Sequence, residues 1–349
     1  MVEWFASFSR VHFGGIENVF DVSSVFCEFY INGQLFSIKW YGVIIAFGLI
    51  LAALFGGRIA YTWKMDLSKM VDVLIYGMFG GIICARAYYV IFQWDYYSLH
   101  PDEIFQIWRG GLAIYGGIIG GIIAAFITCK LEKLNFLNLL DCAGMSLLIG
   151  QGIGRWGNYA NQEAFGVFTN GNYGMMSDKV VAYIQAHPEL YGLEGVSDIP
   201  TYIEENNLFV HPTFFYEFAW CMLGVLVLYI ITRKFRKFSG QTFLCYGIWY
   251  GIERAFVEGL RTDSLYIGDT TLRASQLLSI AIVLVCAVVL VIKLLSVRKK
   301  PILIEGVDFF PADEKQVKKE KKNNPEEAAD KSKDFAKEEA ESEREKGDS

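Results

Sequence analysis

Seven blocks of apolar residues limit this chain more than any other feature. They lie at roughly 40–60, 71–92, 111–129, 138–156, 213–232, 241–260 and 274–295. A helix needs about 20 residues to cross the hydrocarbon core of a bilayer, and each block approaches that length. A helix of a soluble protein would carry a single apolar stripe instead. The expected fold is therefore an all-α polytopic membrane protein with about seven transmembrane helices. A composition of 53% hydrophobic residues in 349 agrees. The fourth block shares the shortest length with the third and is the most polar of the set.

Lysine and arginine give the orientation. One set of alternate loops holds Arg58, Lys64 and Lys69, then Lys130 and Lys133, then Arg233, Lys234, Arg236 and Lys237, then Lys293, Arg298, Lys299 and Lys300. The other set holds Arg10, Lys39, Arg109, Lys179, Arg261 and Arg273, spread over far more residues. Cytoplasmic loops collect cations, so the N-terminus is expected outside and the C-terminus inside. The chain then divides into three parts. Residues 1–37 form an extracytoplasmic N-terminal segment without a visible cleavable signal peptide. Residues 38–297 form the membrane domain, with a small extracytoplasmic head domain at 157–212 between spans four and five. Residues 298–349 form a charged cytoplasmic tail too polar to fold alone.

Composition removes other classes. The net charge is −6, and no basic patch interleaved with aromatics suggests nucleic acid. The seven cysteines show no CxxC spacing, and six lie in or beside apolar blocks, so they read as small buried hydrophobes. No metal-ligand spacing or cofactor motif occurs, and neither is expected. Gly116 and Gly120, Gly117 and Gly121, and Gly150 and Gly154 are each four apart, a spacing that lets helices approach closely in lipid.

Ionisable residues at membrane depth cost about 3 kcal/mol even on lenient insertion scales, so they mark function. "GIGRWGNYANQEAFG" ends the fourth block with Arg155, Asn158, Asn161 and Glu163, and its glycines suggest that the helix breaks there. In the sixth block Tyr250, Arg254, Glu258 and Arg261 are spaced i, i+4, i+8 and i+11. They make one stripe in which two guanidiniums flank one carboxylate and leave positive charge for an anion. Arg86 lies toward the outer end of span two, and "GGLAIYGG" presents Tyr115 at the start of span three. All fall on the outer side, which suits a lipid-accessible site for an anionic substrate. A transporter or flippase for an anionic lipid or solute is the alternative, although it would need polar residues through to the inner face. An assembly subunit would leave the arginines unexplained.

The signature "GRWGNYANQEAFG" resembles that of the prolipoprotein diacylglyceryl transferases. "KWYG" with Tyr41, "HPTFFYE" at 211–217 and "YGIERAFVEGLRTD" at 250–263 are similar to further motifs of that family, in the same order. The resemblance implies an enzyme of the bacterial cell membrane, active on its extracytoplasmic side. It would transfer diacylglyceryl from phosphatidylglycerol to the cysteine thiol of a lipoprotein precursor and release glycerol phosphate, the first step of lipoprotein maturation. Those two substrates are the expected partners, and a monomer is expected. The resemblance implies Arg155, Arg254, Glu163 and Tyr115 as catalytic. Lipid binding falls to Arg155, Asn158, Asn161, Arg254, Glu258, Arg261, Tyr41, Tyr250 and Arg86. Some family members carry histidine where this chain has Tyr115. The proton acceptor is left between Glu163 and Tyr115.

Overall fold

The computed structural model describes residues 8–13, 19–31, 34–169, 174–262 and 273–299. Six of its helices are long and apolar enough to cross a membrane: Trp40–Thr62 (α1), Leu67–Phe92 (α2), Ile114–Leu131 (α4), Phe136–Asn161 (α5), Thr213–Phe235 (α8) and the helix over 274–297 within Ala274–Lys299 (α10). A seventh long helix, Gln241–Leu260 (α9), is continuous, but Glu253, Arg254 and Glu258 break its apolar run. Short helices at Trp94–Tyr97 (α3), Asp178–Ala186 (α6) and Ile199–Glu205 (α7) lie in the connections. Residues 300–349, most of the charged tail, lie outside the described residues.

Two short turns are built alike. After α1, Lys64 takes a φ of 54° and the Met65 amide returns to the Ala60 carbonyl at 3.0 Å. After α4, Lys133 takes a φ of 56° and the Leu134 amide returns to Cys129 at 2.8 Å. Asp66 and Asn135 then cap α2 and α5, each accepting two amides of the first turn. Thus α1 and α2, and likewise α4 and α5, are joined by short, tight turns. Across them, α2 packs on α4 and α1 packs on α5, while α5 also meets α8 and α9, and α9 carries α10. The expected close approach at Gly116 and Gly120 is present. A methyl on Gly120 would lie 2.5 Å from the Gly80 carbonyl oxygen, so the backbones of α2 and α4 touch there.

Two expectations need correction. The fourth span is 26 residues long and does not break at its glycines. It runs on through Arg155 and Asn158 to Asn161, because those glycines serve packing: a methyl on Gly152 would lie 3.0 Å from Cys221 Cβ. The chain is also not all helical. Strands Phe8–Phe13 (β1), Val19–Ser23 (β2), Phe168–Thr169 (β5), Met175–Ser177 (β6) and Phe209–Val210 (β7) form one sheet in the order β2-β1-β6-β7-β5. The N-terminal segment and the α5–α8 connection therefore share a sheet, with Val11 paired to Ser177. Met175, Val180, Ile184, Ile203 and Val210 fill the core behind it. Strands Val25–Ile31 (β3) and Gln34–Lys39 (β4) make a separate hairpin that leads into α1.

Candidate active site

The last two turns of α5 carry Arg155, Asn158 and Asn161. Beyond Asn161 the backbone folds back sharply. Gln162 and Ala164 both take left-handed conformations, with φ of 54° and 57°, which non-glycine residues adopt rarely and often at functional sites. Between them sits Glu163, exposed, with Oε1 accepting from the Asn158 side-chain amide at 3.1 Å and from that of Asn161 at 3.2 Å. The Thr213 hydroxyl donates to the Ala164 carbonyl and ties this turn to the start of α8. Lys179 of α6 donates to the Asn161 carbonyl at 3.3 Å.

One turn into α8 stands Glu217, its side chain 1% exposed. Its Oε1 lies 3.0 Å from Arg155 Nη2 and 3.7 Å from Arg254 Nη1. The charge of Arg261 bears on it as well. Arg254 also reaches Glu258 Oε2, one turn along α9, at 2.6 Å. Glu217 is therefore a hub for guanidiniums from two helices, Arg155 and Arg254, whose side chains remain 18% and 21% exposed. Each guanidinium has five donors, so both keep N–H groups beyond those used on carboxylates. Arg261 ends α9, and its backbone forms a bridge with Gly166, just past the Glu163 turn.

Aromatic groups hold these helix ends together. Trp220 of α8 and Trp249 of α9 stack at 4.6 Å, and each indole N–H donates to the other residue's carbonyl at 3.1 Å. Tyr250 stacks on Tyr246 at 6.0 Å, and the Tyr246 hydroxyl accepts from Gln151 at 3.0 Å. Tyr41, at the start of α1, lies against Gly157, where an added methyl would come within 2.8 Å of its ring. Glycine at 157 is what lets Tyr41 close over the helix that bears Arg155.

Arg155, Asn158, Asn161, Glu163, Tyr41, Tyr250, Arg254, Glu258 and Arg261 thus gather at one end of the bundle. Two sequence candidates do not join them. Arg86 is buried and donates to the carbonyls of Ile104 at 2.7 Å, Glu103 at 2.7 Å, Gly110 at 2.9 Å and Gly111 at 2.8 Å. Its guanidinium also lies 5.1 Å from the Tyr97 ring centroid. It fastens the α2–α4 connection to α2. Tyr115 is exposed on the first turn of α4, and its hydroxyl makes no hydrogen bond among the described residues. Two acids were not singled out from the sequence: Glu217, inside the quoted HPTFFYE, and Glu253, beside Arg254, which is 4% exposed. Their signal was a carboxyl inside an apolar run. They also correct the expected charge surplus, because three buried carboxyl groups, Glu217, Glu253 and Glu258, lie among the residues that carry Arg155, Arg254 and Arg261. Among the described residues no group of three or more His, Cys, Asp or Glu side chains is placed to hold a metal, and all seven cysteines are free thiols.

The model of the family "Prolipoprotein diacylglyceryl transferase" matches residues 29–292. Among curated proteins, the phosphatidylglycerol–prolipoprotein diacylglyceryl transferase of Lysinibacillus sphaericus (strain C3-41) is 41% identical over 244 residues, 70% of this chain and 83% of the relative. The protein of the same name from Staphylococcus aureus (strain Newman) is 40% identical over 282 residues, 81% of this chain and 94% of the relative.

Proposed function

The chain belongs to the prolipoprotein diacylglyceryl transferase family, and on that premise we propose that the Arg155–Glu217–Arg254 cluster is the site where diacylglyceryl passes from phosphatidylglycerol to a lipoprotein precursor. The observation that carries this reading is the hub at Glu217, which fixes two partly exposed guanidiniums from separate helices within reach of one anion.

The reaction makes a thioether and breaks a carbon–oxygen bond. The precursor's thiolate attacks the glyceryl carbon next to the phosphate, and the bonding electrons leave on the phosphate oxygen as glycerol phosphate. The barrier falls if the growing charge meets fixed donors that need no rearrangement; one such donor typically contributes about 3 kcal/mol. Arg155 and Arg254 supply them, and guanidiniums suit phosphate because of their planar, paired N–H groups. Glu217 and Glu258 hold those groups in place. Arg261, Asn158, Asn161, Tyr250 and Tyr41 line the lipid's polar end, and Arg86 acts on the site only through the loop it fastens. The thiol ordinarily titrates near 8.5, so its proton must be taken up. Glu163 and Tyr115 are the candidates legible in the sequence.

The reading takes α9 as a seventh span and the Arg155 end as the extracytoplasmic face. It is supported by the opposite end, whose turns hold Lys64, Lys69, Lys130, Lys133, Arg233 and Arg236, the cation-rich pattern of a cytoplasmic face. Transport of an anion is disfavoured by the interior between the two ends, where Met145, Leu148 and Leu228 are fully buried. The test is transfer of labelled lipid to a cysteine-containing precursor peptide. Arg155→Ala and Arg254→Ala should each abolish it while the protein stays folded in membranes; near-normal transfer by both would defeat the assignment.

A further inference from the structure

Four carboxyl groups stand around the arginine cluster, and three are already engaged. Glu217 holds Arg155 and Arg254. Glu258 holds Arg254. Glu163 accepts two side-chain amides at the exposed rim. Glu253 differs. It is 4% exposed and, unlike Glu217 and Glu258, makes no ion pair among the described residues; its Oε1, like both oxygens of Glu217, has no hydrogen-bond partner there. Its Oε2 faces a thiol, Cys221 Sγ, at 4.0 Å. The charges of Glu217, Arg155 and Arg254 all bear on it, so it belongs to the cluster electrically although nothing in the cluster occupies that oxygen. A buried carboxyl left with an open lone pair is costly and asks for a function.

Its depth supplies one. Glu217 and Cys221 are one turn apart on α8, about 6 Å along the axis. Arg254 meets Glu217 and Glu253 meets Cys221, so the Glu253 carboxyl lies on the deeper side of the guanidinium hub. A lipid whose phosphate rests on the guanidiniums would hold its glyceryl carbon on that deeper side, toward its acyl chains. In-line displacement brings the attacking sulfur to the face of the carbon opposite the departing oxygen, and so away from the phosphate. A base at the exposed rim, such as Glu163, stands away from that deeper side, and Tyr115 makes no hydrogen bond to the cluster among the described residues.

We propose that Glu253 is the group that takes the proton from the precursor's thiol. The assignment rests on the transferase reading above. The thiol proton passes to Glu253 Oε1, the sulfur–carbon bond forms, and the carbon–oxygen bond breaks with its electrons going to the phosphate. Glycerol phosphate gains one negative charge as Glu253 loses one. The protein around the phosphate therefore becomes one unit more positive at the step in which the leaving group becomes one unit more negative, and no charge is created in the buried site.

The experiment uses the full chain, purified, with phosphatidylglycerol and two precursor peptides, one with cysteine and one with selenocysteine at the acceptor position. A selenol is already ionised at neutral pH and needs no base. Glu253→Gln should slow transfer to the cysteine peptide by about 10²–10⁴-fold, the usual contribution of a positioned base, with KM for the lipid unchanged. The selenocysteine peptide should react with this variant at nearly the wild-type rate. A glutamine variant that matches wild type with the cysteine peptide overturns the proposal, and so does one slowed equally with both peptides, because a structural defect would not distinguish them. If the glutamine variant does not fold, Glu253→Asp carries the same comparison: slowing confined to the cysteine peptide supports the proposal, and equal slowing or none overturns it. Failure of the wild-type protein to transfer lipid to either peptide would instead remove the transferase reading itself.

Discussion

The end of the bundle away from the arginine cluster is held by one buried ion pair, and its removal can be worked out from the contacts. Asp141 of α5 is fully buried. Its Oδ2 accepts from Arg236 Nε at 2.9 Å and from the Gly240 amide at 2.8 Å, and lies 2.6 Å from Arg236 Nη2. Its Oδ1 accepts from the Phe243 amide at 2.9 Å. The Arg236 side chain is itself 2% exposed, also donates to Asn138 at 2.6 Å, and lies 4.8 Å from the Trp63 ring centroid. One carboxylate thus joins α5, the α8–α9 turn and the first turn of α9. In Asp141→Asn the best orientation keeps the amide oxygen at Oδ2 and turns an N–H₂ donor toward the Phe243 amide. One backbone donor is then orphaned and the guanidinium is left charged and buried.

Breaking a buried pair on one side costs about 3–5 kcal/mol, at least a hundredfold in the folding equilibrium. Unfolding in mixed micelles with increasing dodecyl sulfate, followed by helical circular dichroism, should show a clear fall in the midpoint. Asp141→Leu with Arg236→Met should recover part of it, because paired removal leaves no uncompensated charge although the Gly240 and Phe243 amides lose their acceptor. Residues 141 and 155 are about 21 Å apart along α5 at 1.5 Å per residue, so transfer per folded molecule should hold in both variants. A wild-type midpoint for Asp141→Asn, or a double variant less stable than the single one, would refute the reasoning.

Two further outcomes follow from packing and from titration. Gly120→Ala should weaken the α2–α4 contact by about 1–3 kcal/mol, the usual cost of overpacking, because the new methyl meets the Gly80 carbonyl oxygen at 2.5 Å; Gly57→Ala, with nothing within 4 Å, is the control, and equal midpoints would argue against backbone contact. His211, between β7 and α8, has its Nδ1 3.2 Å from the Tyr216 hydroxyl, and burial holds its pKa below the ordinary histidine value. The unfolded chain therefore binds that proton more readily, and the stability contribution of neutral His211 is full above about pH 6.5 and is lost as the pH falls through the lower folded value. Melting curves between neutral and mildly acidic pH should show a shallower decline for His211→Gln than for wild type, and parallel curves would exclude the histidine as the source.

Long apolar runs made the spans legible, because nothing but lipid or a large core accepts them, and residue spacing made the stripe on α9 legible. What escaped was every feature whose cause lies far along the chain. Val11 pairs with Ser177, and no local pattern announces a partner so distant, so the N-terminal strands read as a separate segment. The glycines near Arg155 read as breakers because a sequence does not reveal that Tyr41 and Cys221 press against two of them. Arg86 carries the same insertion cost as Arg155, but its charge is met by four carbonyls of one loop and not by an acid. The most instructive error concerns charge. Counting arginines along one helix promised a positive surplus, while packing set Glu217 from α8 and Glu253 beside them and evened the count. A site with three cations and three anions binds a phosphate monoanion poorly unless its guanidiniums have N–H groups to spare, and it stabilises a dianion poorly unless an acid gives up its charge during the step. The exposure of Arg155 and Arg254 meets the first condition. Of the acids around them, Glu253 makes no ion pair among the described residues and can meet the second without loosening an arginine, whereas a proton on Glu217 or Glu258 weakens the pairs that hold Arg155 and Arg254.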